Sequence, residues 1–162
     1  NNKIDLLVTF GGSDPNDITS KILLYLTKSK IKQNVSVIIG PGFKKSLRIF
    51  QNEFPNFSFI LKPNNTFEYV NMSAAVITAL GTTIQEIEYL GKKGIICFNY
   101  ENDQKDFNLL KSFSENKDRW FSLGHHNDLN FNNLESFLNK KVSFDLNIEK
   151  SWGNGWKNIS TE

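Results

Sequence analysis

The sequence predicts an α/β domain whose doubly wound parallel sheet carries helices on both faces. Short apolar runs rich in Val, Ile and Phe alternate along the chain with longer runs of helical period. This alternation is typical of parallel sheets covered by helices on both sides. Glycine-rich or polar loops follow most of the apolar runs, and ligands of such sheets bind at that edge.

The element boundaries follow from the apolar runs and their flanking turns. Five strands are expected at about 4–10, 34–39, 57–62, 75–79 and 94–98, with a weaker sixth at 120–122. Helices are expected at about 15–29, 43–53, 66–73, 82–90, 104–114 and 131–139. Right-handed crossovers then place the loops GGSDP, GPG, PNN, LGTT and NYENDQ along one edge of the sheet.

Length and composition indicate one globular unit. The 162 residues, with 39% hydrophobic and 13% aromatic side chains, are enough for one core but too few for two ordinary domains. We therefore expect a single domain over 1–162, with its core at about 1–140 and a tail at about 141–162. Trp152 and Trp156 would anchor this tail to the body.

Charge and cysteine content exclude several classes of function. The net charge is +2 and the lysines are scattered among carboxylates, so neither nucleic acid nor a membrane surface is an expected partner. Cys97 is the single cysteine, which excludes an internal disulfide and is typical of a buried thiol in a reducing compartment. No apolar run approaches the roughly 20 residues of a spanning helix. We expect a cytoplasmic protein without a membrane span.

The loop Gly11-Gly12-Ser13-Asp14-Pro15 has two interpretations. Ser13 or Asp14 would cap the following helix, with Pro15 in its first turn. The two adjacent glycines exceed what a cap requires, since they let a ligand approach the backbone. Neither a Walker loop nor a dinucleotide fingerprint is present.

The turn Leu80-Gly81-Thr82-Thr83, followed by Glu86, is the most informative motif. If the threonines open a helix, their amides would suit a diphosphate, and Glu86 on the same face would suit a ribose diol. The alternative is a capping box in which Thr83 is the cap and Glu86 lies three residues later. Spacing alone favours the cap.

The remaining polar residues offer weaker signals. Asn102, Asp103, Gln104 and Asp106 follow the fifth strand, where they would meet sugar hydroxyls or only solvent. His125 and His126 are adjacent and point to different faces, and no nearby side chain completes a metal set. We expect neither a metal nor a cofactor.

Three ordered motifs, VTFGGSDPND, IIGPG and ITALGTTIQEIEYLG, together with NDQ at 102–104, resemble one family. They are similar to the C-terminal half of the UDP-sugar hydrolase of pseudaminic acid synthesis and its relatives in spore-coat polysaccharide synthesis. That group resembles the C-terminal domain of MurG-type N-acetylglucosaminyltransferases. The resemblance covers about 1–115 and implies the GT-B architecture, in which two Rossmann-like domains face a cleft.

The resemblance implies a role for each matching residue. Gly81, Thr82 and Thr83 would hold the diphosphate of UDP, and Glu86 its ribose hydroxyls. The loop around Pro63–Thr66, with Asn64 foremost, would meet the uracil edge. A further set would line the phosphate and sugar part of the cleft: Gly12, Ser13 and Gln104. The family pattern has Asn where Asp103 stands, and often proline at the position of Lys93.

The implied function is the UDP-sugar-binding half of a hydrolase acting on a UDP-2,4-diacetamido-2,4,6-trideoxy-hexose, in bacterial surface polysaccharide or nonulosonic acid biosynthesis. A histidine of an N-terminal domain would be the base in that family. This chain would then contribute no catalytic base, would be inactive alone, and would have been excised from a two-domain parent whose N-terminal Rossmann-like domain is its partner. The alternatives are the donor-binding domain of a MurG-type glycosyltransferase and a non-catalytic nucleotide-binding or scaffolding domain.

Overall fold

The computed structural model describes residues 4–29 and 33–141. Its strands are β1 (Ile4–Thr9), β2 (Val35–Ile39), β3 (Ser58–Leu61), β4 (Ser73–Ala79), β5 (Lys93–Phe98) and β6 (Trp120–His125). Its helices are α1 (Ile18–Lys28), α2 (Leu47–Glu53), α3 (Thr66–Met72), α4 (Thr83–Tyr89), α5 (Asp103–Phe113) and α6 (Leu134–Asn139), and a short 3-10 helix spans Lys117–Arg119. The predicted tail, with Trp152 and Trp156, lies almost entirely outside the described residues.

Within this described chain the strands form one parallel sheet in the order β3-β2-β1-β4-β5-β6. The chain winds from β1 outward through β2 and β3, and then returns past β1 to begin β4. The order therefore reverses between β1 and β4, which creates a crevice at the carboxyl ends of these two strands. The predicted doubly wound, Rossmann-like sheet is confirmed.

Helices cover both faces of the sheet because alternate strand residues point to opposite sides. On one face Leu6 and Val8 of β1 pack in a cluster that includes residues of α1, α2 and α6. On the other face Leu7 packs in a cluster that includes residues of α3, α4 and α5. Cys97 belongs to the first cluster and is fully buried, so burial raises the pKa of its thiol and keeps it protonated.

Local hydrogen bonds explain why two helices begin later than predicted. The Asp14 carboxylate accepts the N–H groups of Ile18 at 3.0 Å and Thr19 at 2.7 Å, so α1 begins at Ile18. Asp14 is thus a cap, as predicted, but Pro15 lies before the first turn and not within it. Ser46 is the N-cap of α2, and its hydroxyl accepts the N–H of Ile49, which places residues 43–46 in the preceding loop.

Lys93 has a structural role at the amino end of β5. Its ammonium donates to the carbonyl oxygens of Phe137 at 2.8 Å and Leu138 at 2.7 Å, in the last turn of α6. A cation is favourable at a helix carboxyl end. This contact accounts for a lysine where the resembling family often has proline. None of the helices in the described part of the chain is long and apolar enough to cross a bilayer.

Candidate functional site

A cleft of about 370 Å³ lies at the carboxyl edge of the sheet, beside the β1/β4 crevice. The loops that follow β1, β2 and β3 form its walls together with the start of α4. Its lining residues are Gly11, Gly12, Ile38, Gly40, Pro41, Lys62, Pro63, Thr66, Thr82, Thr83 and Glu86. We call this set the switch-point cleft. Its volume is within the range of about 300–1,000 Å³ that is typical of small-molecule sites.

Close backbone contact between two loops shapes one wall of the switch-point cleft. The N–H of Gly42 donates to the carbonyl oxygen of Gly12 at 2.7 Å. A Cβ at Gly40 would lie 2.6 Å from that same oxygen and closer still to the oxygen of Gly11. Only glycine therefore fits at position 40. The loop at 40–42 is thus a clamp that holds the Gly11-Gly12 backbone against the cleft.

The start of α4 does not form the capping box that its spacing allows. Thr82, not Thr83, is the N-cap, and it makes no side-chain cap bond. The first turn is closed by backbone bonds, from Ile84 N–H to Gly81 O at 3.1 Å and from Gln85 N–H to Thr82 O at 3.0 Å. Within the described chain, the N–H groups of Thr82 and Thr83 donate to no protein acceptor. They are available to an acceptor in the cleft.

Glu86 lies one turn further along α4 and is half-buried. Its Oε2 is buried without a hydrogen-bond partner among residues 4–29 and 33–141. Burial raises the pKa of this carboxyl above its ordinary value, because desolvation disfavours the charged form. A buried carboxylate without donors is suited to a ligand that supplies them, such as a diol whose two hydroxyls both donate.

The predicted site residues divide into two groups. Gly12, Thr82, Thr83 and Glu86 line the switch-point cleft. The other four lie outside that lining: Ser13 and Gly81 are next to it in sequence, Asn64 is exposed beside Pro63, and Gln104 is exposed on α5 and donates to Asn108 Oδ1 at 3.2 Å. Ligand contacts of these four remain predictions.

The Asp103 carboxylate is directed into the loop that precedes α5. It is 7% exposed, and its Oδ2 accepts the N–H groups of Asn99 at 2.7 Å and Tyr100 at 3.1 Å. These two loop amides stabilise the carboxylate through hydrogen bonds. Asp103 does not line the switch-point cleft.

Lys62 is a lining residue that sequence reasoning missed. The segment around Pro63–Thr66 was predicted to meet the ligand through its backbone, and Pro63 and Thr66 do line the cleft. Lys62 directly precedes Pro63, and a cation next to a predicted binding loop was a usable signal for a ligand contact. The contribution of Gly40 depends on contact with another loop, which no local pattern reveals.

The two adjacent histidines form a ring pair, not a metal centre. The ring centroids of His125 and His126 are 4.2 Å apart. The pKa of His126 lies below its ordinary value. Burial is the main cause, and the nearby His125 and Lys21 lower it further. In the described part of the chain, no three His, Cys, Asp or Glu side chains are grouped as a metal site would require.

Comparison with known proteins finds a longer protein that is similar in sequence to this chain. An uncharacterized protein of Methanocaldococcus jannaschii is 26% identical over 164 aligned residues, which cover 89% of this chain and 34% of that protein. The chain thus spans about a third of the length of the curated relative that it matches. No family model matches the sequence.

Proposed function

We propose that this chain is the UDP-sugar-binding half of a nucleotide-sugar hydrolase of GT-B architecture. It would act in the cytoplasm, in surface polysaccharide or nonulosonic acid biosynthesis, with an N-terminal Rossmann-like domain as its partner. The observation that carries the proposal lies in the switch-point cleft: among the described residues, Glu86 Oε2 has no hydrogen-bond partner, and the nearby Thr82 and Thr83 amides have no acceptor.

Each part of a nucleoside diphosphate has a complementary group in this cleft. The Thr82 and Thr83 amides would donate to the diphosphate, and the Glu86 carboxylate would accept from both ribose hydroxyls. The clamped Gly11-Gly12 backbone has no Cβ, so phosphate oxygens can approach it closely. The Pro63–Thr66 wall would border the uracil ring. The resemblance of LGTTIQE to the family named above favours uridine over other nucleosides.

The chemistry assigned to this chain is stabilisation of the leaving group. Water attacks the anomeric carbon, the bond from that carbon to the diphosphate oxygen breaks, and UDP leaves with the bonding electrons. Amide donors from Thr82 and Thr83 to the diphosphate would favour the charge that develops there. The proton of the attacking water goes to a base on the partner domain. Asp14 is not that base, because both of its oxygens accept α1 amides.

The chain alone is therefore expected to leave UDP-sugar hydrolysis near its uncatalysed rate. UDP release from a UDP-N-acetyl sugar would be measured for the 162-residue chain and for a longer polypeptide that joins it to the proposed N-terminal domain. The longer polypeptide should turn over and the chain alone should not. Robust turnover by the chain alone would contradict the two-domain mechanism. Release of UDP that requires an added acceptor would instead indicate a MurG-type glycosyltransferase.

A further inference from the structure

The loop after β3 brings a cation to the switch-point cleft. Lys62 is exposed and follows β3 directly. Among the described residues that line the cleft, Lys62 is the one cation and Glu86 the one carboxylate. The Lys62 ammonium makes no hydrogen bond or ion pair with any part of the chain that the structure describes. Contacts within the described part of the chain therefore do not explain why a lysine occupies this position.

The backbone of Lys62 adopts a conformation that favours glycine. Its φ is +44°, in the left-handed region, and its N–H donates to the carbonyl oxygen of Ile39 at 3.0 Å. This bond ties the end of β3 to the end of β2 and fixes the conformation. A side chain with a Cβ is strained there, whereas glycine is not. The fold would accept glycine more readily than lysine at this position.

Charge balance indicates what the side chain does. A nucleoside diphosphate brings two phosphate groups into a cleft that already contains the Glu86 carboxylate, and like charges disfavour binding. We propose that the Lys62 ammonium binds the phosphates of the nucleotide and offsets the charge of Glu86. This inference rests on the proposed nucleotide function. It assigns specificity for the phosphorylated form to a residue outside the glycine-rich motifs.

The test compares uridine, UMP and UDP as ligands of the 162-residue chain by calorimetry. Lys62→Met should weaken UDP binding about five- to ten-fold, UMP binding less, and uridine binding not at all, because an exposed charge contact is modest. The difference should nearly vanish at about 1 M salt, where the screening length is about 3 Å. Lys44→Met removes an exposed lysine outside the cleft lining and is the matched control, with little expected effect.

Lys62→Gly separates binding from folding. It should weaken UDP binding as Lys62→Met does, while its melting temperature stays at or above that of the original chain. Equal losses for uridine and UDP, or unchanged UDP binding by Lys62→Met, would overturn the phosphate role and leave the proposed function intact. Failure of the original chain to bind UDP at all would overturn both.

Discussion

Glu86→Gln is expected to weaken UDP binding by about ten- to a hundred-fold while the fold remains at least as stable. The substitution replaces charge-assisted bonds to the ribose hydroxyls with neutral ones, which are roughly half as strong. Stability is retained because Glu86 makes no capping box and its buried Oε2 has no hydrogen-bond partner in the part of the chain that the structure describes. Calorimetric titration and thermal unfolding of the same samples measure the two effects separately.

The raised pKa of Glu86 determines how stability and UDP affinity change with pH. Burial raises the pKa of Glu86 in the folded chain above its unfolded value, so the folded state holds this proton more tightly. Stability is then highest below the unfolded pKa and falls as the pH rises through the window up to the folded pKa. UDP affinity has the opposite pH dependence, because the ribose hydroxyls donate to the ionised carboxylate of Glu86. The affinity should therefore fall as the pH drops through the folded pKa. Both dependences should shrink in Glu86→Gln.

Glu115→Gln, at an exposed position outside the switch-point cleft, is the matched control for charge. It should change neither UDP affinity nor its pH profile. If Glu86→Gln lowered the melting temperature by several degrees and left UDP affinity unchanged, Glu86 would be a structural residue and not a ribose ligand.

Gly40→Ala is expected to lower both the stability of the fold and the affinity for UDP, because it disturbs the cleft and the fold together. Its Cβ would overlap the carbonyl oxygens of Gly11 and Gly12, so the clamp between the two loops must open. Overpacking of this kind costs about 1–3 kcal/mol of unfolding free energy. Displacement of the Gly11-Gly12 wall should also reduce UDP affinity by on the order of ten-fold or more. Denaturant unfolding and calorimetry measure these two losses.

Gly94→Ala provides the comparison that isolates the cleft. Its Cβ would overlap the ring of Trp120 on β6, away from the switch-point cleft. It should destabilise the fold to a similar degree, yet bind UDP normally below its unfolding temperature. Equal affinities in the two variants would show that the Gly40 clamp does not shape the binding site.

The strand and helix pattern could be predicted because it is local and strongly periodic. Each described strand and α-helix lies within a few residues of its predicted bounds, whereas the short 3-10 helix at Lys117–Arg119 was not predicted. The errors occur where a side chain closes a loop: Asp14 and Ser46 delay the starts of α1 and α2. The weak sixth strand is longer than predicted and runs to His125, with a register shift opposite Ile96 and Cys97.

The candidate site could be predicted only where it depends on a local motif. The turn at Thr82 and Thr83, followed by Glu86, comes directly after an apolar strand, so the position of these residues at the carboxyl edge of the sheet could be predicted. Spacing alone favoured a capping box at Thr83 and Glu86, and that prediction was wrong, because a ligand site uses the same residues and the same spacing. The positive φ of Lys62 and the close approach of Gly40 to the first loop depend on how β2 lies between β1 and β3. Such contacts between distant segments leave no signature in a single sequence.

The switch-point cleft is proposed to bind UDP in preference to other nucleoside diphosphates. Titration of the 162-residue chain with UDP, ADP and GDP, followed by amide chemical shifts, tests it most directly. UDP should give the largest shifts, concentrated at residues 11–12, 62–66 and 82–86, with modest affinity because half of a two-domain cleft leaves much of the ligand in solvent. Equal shifts for all three nucleotides, or no shifts at residues 81–86, would contradict the claim.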